Sequence, residues 1–119
     1  MKVIFNDKLL DNLGFFRRIK GITLFPYIIL REKDKKDKVL LNHEKIHINQ
    51  QKELLIIFFY IWYILEYVLK GFSYHRISFE KEAYENQDNL DYLNNRKRYS
   101  FLKYINYNKH SKYSQYKRL

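Results

Sequence analysis

"LNHEKIHINQQ", residues 41–51, decides how this chain is read. It contains His-Glu-x-x-His. His43 and His47 lie four apart, which on a helix is one turn plus about 40°, so both imidazoles leave the same face and can converge on one ion. Glu44 sits one step round, about 100° away, where it can reach a water on the ion without ligating it. Two neutral nitrogen ligands and one offset base are what metal-assisted hydrolysis needs.

The pattern around the motif is helical. Leu40, His43, His47, Gln50, Leu54, Phe58, Ile61 and Leu65 step by three or four along one face, which predicts a helix from Val39 to about Lys70. "GFSYHRIS", 71–78, breaks it. Ser78 is a candidate cap for a second helix reaching about Asn94, with Glu80 and Glu82 in its first turns, where the helix dipole favours acids. Phe79, Ala83, Leu90 and Leu93 are expected to face inward. "YSFLKYINY", 99–107, reads as a third, shorter helix. Upstream, "KLLDNLGFFRRIK" predicts a weak helix interrupted near Gly14. "GITLFPYIILRE", 21–32, is rich in Ile, Phe, Tyr and Thr and predicts a strand. Pro26 has no backbone donor, so that strand belongs at a sheet edge or carries a bulge.

Two histidines do not complete a catalytic zinc site, which usually has three protein ligands and one open position. There is no cysteine, so thiolate ligands and disulfides are excluded and the third ligand must be His, Asp or Glu. His75, His110 and the acids of "SFEKEAYENQ", 78–87, are the candidates.

The pairing of "HEKIH" with "EKEAY" about thirty residues later resembles the gluzincin metallopeptidases. These use His-Glu-x-x-His on one helix and a glutamate ligand on the next. The nearest pattern is that of the CaaX prenyl protease-like enzymes and antibiotic-sensing receptor peptidases, where the second element reads Glu-x-Glu-[Ala/Cys]-Asp, and of their small relatives, the minigluzincins. The resemblance covers roughly residues 20–90. It implies a zinc ion held by His43, His47 and Glu80, with Glu82 as second choice for the third ligand, and Glu44 as general base. It also implies a peptide or protein substrate laid along an edge strand carrying Thr23, Phe25 and Tyr27. Tyr84 stands where the family has an Asp that steadies a ligating histidine; Glu85 or Asp88 are alternatives for that task. Tyr74, His75 and Tyr84 are the available oxyanion donors or supporting groups.

The net charge of +10 points to acidic partners. Most of the excess falls after residue 94, where Arg96, Lys97, Arg98, Lys103, Lys109, Lys112, Lys117 and Arg118 occur without an acid. Interleaved with Tyr and Phe, this run suits phosphates and bases, but no recognised nucleic-acid fold accompanies it. An anionic membrane surface is the other acidic partner such a run fits. A zinc protein without turnover is the remaining rival to a peptidase, and the C-terminal run as an autoinhibitory plug, making the enzyme latent, is a further expectation. Residues 1–95 are expected to form the compact domain and residues 96–119 a basic, Tyr-rich segment.

No signal peptide is visible, which predicts a cytoplasmic protein, with association with a membrane as the alternative. "LLIIFFYIWYIL", 54–65, is uncharged, then Glu66 interrupts. A span needs about 20 apolar residues, so a helix buried in a small core is expected, with a helix sunk in a membrane surface as the alternative. The predicted fold is α+β and mainly helical: a minimal zincin-like domain with an N-terminal edge strand or hairpin, a long active-site helix and a second helix carrying the glutamate ligand.

Overall fold

The structure, a computed structural model, describes residues 1–14 and 19–106. The expected α+β, mainly helical class holds. In chain order the elements are β1 (Lys2–Phe5), α1 (Asp7–Leu13), β2 (Gly21–Leu24), β3 (Tyr27–Leu30), α2 (Lys38–Glu53), α3 (Ile57–Leu69), α4 (Ser78–Asn86) and α5 (Tyr92–Asn95). Short 3-10 turns cover Glu32–Asp34, Tyr74–Arg76 and Ser100–Tyr104.

The stretch read as one strand is a hairpin. β2 and β3 pair antiparallel, Thr23 opposite Ile28, around the cis Phe25–Pro26 bond. Pro26 therefore sits in the turn and not within a strand. β1, which the sequence reading missed, pairs parallel with β3, giving the order β1-β3-β2. β2 is an edge strand and β3 is central. α1 follows expectation up to Gly14, whose N–H closes the helix on the Leu10 carbonyl at 2.9 Å.

The long helix expected over 39–70 is two helices. α2 is capped by the Asp37 side chain, which accepts from Leu40 N at 2.9 Å. It ends at Glu53, and Leu55 and Ile56 adopt φ of 54° and 64°. Left-handed backbone costs an L-residue about 1–2 kcal/mol, and neither residue type signals it. The break re-aims the next helix. Phe59, Trp62, Tyr63 and Glu66 turn inward on α3, while Phe58, Ile61 and Leu65 of the predicted face are half or more exposed.

Glu66 explains why the apolar run is interrupted. It is buried and accepts from Trp62 Nε1 at 2.8 Å and from Ser78 N at 2.9 Å, with Ser78 Oγ bonded to its other oxygen. A carboxylate at an N-terminus meets orphan N–H groups and the positive end of the dipole. Ser78 is thus the first residue of α4, not its cap. α4 stops at Asn86, short of Asn94. Phe79 and Ala83 are buried as expected, but Leu90 lies beyond the helix and is 53 % exposed.

α2 packs on the sheet on one side and on α4 on the other. Ile28, Leu30 and Ile48 form the sheet-side core. Phe59, Ile77, Phe79 and Phe101 form the second core. Phe101 comes from the 3-10 turn that replaces the predicted third helix. The packed unit therefore runs past residue 95. Arg96 is also part of it, bridging Glu53 and Glu82 from a side chain only 3 % exposed. Residues 107–119 of the basic segment, His110 included, lie outside the described residues.

Candidate metal centre

His43 and His47 leave the same face of α2 and meet Glu80 from the first turn of α4. His43 Nε2 and His47 Nε2 are 3.2 Å apart, and Glu80 Oε1 lies 3.2 and 3.1 Å from them. All three residues are buried. A tetrahedral ion with bonds of 2.0–2.1 Å separates its ligand atoms by about 3.3 Å. The triangle matches that spacing, so the group could hold a metal ion.

The far nitrogens of the rings say which atoms would face an ion. His47 Nδ1 is 2.7 Å from Gln50 Oε1. The amide orientation of Gln50 is fixed because its nitrogen donates to the Phe79 carbonyl at 3.1 Å and to Glu82 Oε1 at 2.8 Å. The atom facing His47 must then be the oxygen, which only accepts, so Nδ1 carries the proton and a neutral His47 turns its Nε2 lone pair to the triangle. His43 Nδ1 lies 2.8 Å from Gln87 Oε1. Asn42 secures the backbone there, donating to the Gln87 and Asn89 carbonyls at 2.9 and 3.0 Å.

The centre is electronegative. Burial alone pulls the His47 imidazole down, but the Glu80 carboxylate outweighs it, with help from Glu44 and Gln50, and lifts it to about 9. Burial pushes Glu80 up, and His47 and His43 override this to hold it well below the usual carboxylate range. A field that holds a proton at this point favours a cation there. Tyr63 completes Glu80, donating to Oε2 at 2.8 Å and leaving Oε1 to the histidines.

Glu44 stands off from the triangle, its Oε2 4.0 Å from His43 Nε2. Its Oε1 accepts from Thr23 Oγ1 at 2.7 Å. β2 passes close by: a Cβ on Gly21 would meet Leu30 Cδ2 at 2.7 Å and Glu44 Oε2 at 3.7 Å. A cleft of about 520 Å³ opens here, lined on one side by residues 19–24 and on the other by His43, Glu44, His47, Tyr63, Tyr74 and Glu80.

Several expected residues take other places. Glu82 is turned away, fully buried, and accepts from Gln50, from Tyr92 at 2.6 Å and from Arg96. Two residues along a helix is about 200° of rotation, so Glu80 and Glu82 cannot serve one site. Tyr84 packs its ring edge-on to His43 at 4.5 Å and sends its hydroxyl to Tyr74 at 3.2 Å. Gln87, and not one of the expected Tyr84, Glu85 or Asp88, has its side-chain oxygen 2.8 Å from His43 Nδ1. His75 is buried behind Tyr84, with ring centroids 5.0 Å apart. Thr23 lies on the edge strand, but Phe25 is in the turn, its N–H held by Gln51 at 2.8 Å. Tyr27 starts the central strand, which is paired on both sides. The sequence reading missed Gln50, Gln87 and Tyr63. Helical spacing was the available signal: Gln50 is three residues from His47 and Gln87 seven from Glu80.

No family model matches the chain, and comparison with curated proteins and with solved structures finds no match either. No helix among the described residues is long and apolar enough to cross a membrane.

Proposed function

We propose that the protein is a zinc-dependent peptide hydrolase of the gluzincin type. The observation that carries this reading is the Gln50–His47 bond, which fixes the tautomer that sends Nε2 into a triangle with His43 and Glu80. A zinc ion bound by His43, His47 and Glu80 supplies a water of lowered pKa and a Lewis-acid site for a carbonyl.

The chain's own residues do the rest. Glu44 lies beside the ligands without joining them, and Thr23 holds one of its oxygens. Its Oε2 is placed to take a proton from the attacking water and return it to the leaving amine. Burial, followed by Glu80 and neighbouring tyrosines, pushes the Tyr74 phenol well above its ordinary range, so it stays protonated. Tyr74 lines the cleft as a donor for the developing oxyanion. β2 offers an edge along which an extended peptide can pair, with affinity from main-chain bonds. The Thr23 carbonyl on that strand is already taken by Gln51 Nε2 at 2.8 Å and the Ile19 carbonyl by Arg31 Nε at 2.9 Å, which leaves residues 20–22 for the substrate.

The test combines metal analysis with hydrolysis of unstructured protein substrates. One zinc per chain is expected in the parent and in Glu44→Gln, with activity present only in the parent. Loss of zinc is expected in Glu80→Ala but not through a direct effect of Glu82. Zinc retained in full by Glu80→Ala, in a folded protein, overturns the reading. Zinc with no activity in the parent selects a non-catalytic zinc protein instead.

A further inference from the structure

α3 packs only one side of its apolar run into the core. Only Phe59 and Glu66 are buried on it. Ile57, Phe58, Ile61, Ile64, Leu65 and Val68 recur at helical spacing and each is at least half exposed. Leu55 and Phe72, 71 % and 65 % exposed, continue the stripe at either end. Scattered exposed apolar residues need no explanation, but a continuous stripe does.

We propose that this outer face of α3 lies flat on an anionic membrane surface. The proposal does not rest on the metal centre. Thirteen residues make a helix about 20 Å long, too short to cross a bilayer core of about 30 Å. A helix with one such face lies in the interface plane.

Charge chooses the occupant. Lys52 is exposed just before the stripe, and Arg76 and Lys103 are exposed near its far end. Lys70, the C-cap of α3, donates to the Arg76 carbonyl at 3.3 Å and bonds the Ile105 carbonyl. Ile105 is thereby held at the end of α3. The chain that continues from it carries Lys109, Lys112, Lys117 and Arg118 and no acid. An apolar face rimmed by cations complements anionic headgroups over acyl chains. A second copy would instead bring two chains of net charge +10 and two cationic rims together, which repel.

The test is flotation of the full chain with vesicles of phosphatidylcholine alone or mixed with phosphatidylglycerol. Binding to the mixed vesicles is expected, about tenfold weaker on phosphatidylcholine alone and weakened by salt, because cations near an anionic surface add to the apolar term. Ile61→Gln with Leu65→Gln should lower binding about tenfold at an unchanged melting temperature, since both sites are exposed. Arg76→Gln with Lys103→Gln should weaken binding to the anionic vesicles only. Absence of flotation with the mixed vesicles overturns the proposal, as does flotation that the α3 double variant leaves unchanged. A concentration-dependent dimer that the α3 variant dissolves, without vesicle binding, overturns it in favour of a second copy.

Discussion

Gln50 links His47 to Glu82: its oxygen meets the imidazole at 2.7 Å while its nitrogen reaches the carboxylate at 2.8 Å. The same amide thus orients the His47 ring and ties α2 to α4. Removing it should damage metal binding before it damages anything else at the centre. Gln50→Leu is expected to weaken zinc affinity about 10–100-fold, measured by competition with a chromophoric chelator. Gln87→Leu should act the same way through His43. Affinity unchanged in both would mean that the rings are held by packing alone.

On the proposed reading, Thr23 and Glu44 should separate metal binding from turnover. Glu44→Gln should keep zinc and lower peptide hydrolysis by about 10²–10⁴. Thr23→Val keeps the volume and removes the hydroxyl that holds Glu44. It should lower kcat about tenfold, the worth of one misplaced hydrogen bond, with zinc content unchanged. A larger effect on KM than on kcat would assign Thr23 to substrate binding instead.

Arg96 is the residue on which the expected domain boundary fails. Its guanidinium pairs with Glu53 at 2.6 Å and with the fully buried Glu82. Arg96→Met leaves Glu82 without its cation and should cost about 3–5 kcal/mol, read by urea titration. Adding Glu82→Gln to it should recover part of that loss. A chain cut after Asn95 lacks both Arg96 and Phe101. It should unfold, not become a more active enzyme as a removable plug would require, and circular dichroism decides between these.

Leu55 offers a stabilising change. It is 71 % exposed at φ 54°, so glycine relieves left-handed strain at little loss of packing. Relief of about 1–2 kcal/mol, less about 0.4–1 for glycine's freer unfolded chain, should leave Leu55→Gly about 0.5 kcal/mol more stable. A lower melting temperature would show that the Leu55 side chain carries packing not apparent from its exposure.

What the sequence made legible follows from where its signals are periodic or typed. α2 and the His43–His47 pair were readable because ligands four apart on a helix have a fixed geometry. Glu80 was readable only by resemblance, since acids gather at helix starts for electrostatic reasons alone. Gln50 and Gln87 carry no motif, because an amide becomes a positioning group only through what it touches. The break at Leu55–Ile56 was hidden for a different reason. Leucine and isoleucine do not announce left-handed backbone, so the three-and-four rhythm ran straight through it and assigned Phe58, Ile61 and Leu65 to the wrong side. Glu66 was legible as an interruption but not as the anchor of α4, which lies twelve residues on.

The thread from His47 through Gln50 and Glu82 to Arg96 has a bearing on biosynthesis. A ribosome making this chain delivers His43, His47 and Glu80 by residue 80, yet the braces that align them arrive only afterwards, with Gln87, Arg96 and Phe101. Until those have left the exit tunnel, two imidazoles and a carboxylate are tethered but not aimed. On the proposed reading, loading of the ion would belong to the closing moments of translation, and a stalled nascent chain ending before Arg96 should capture zinc far more weakly than the released protein.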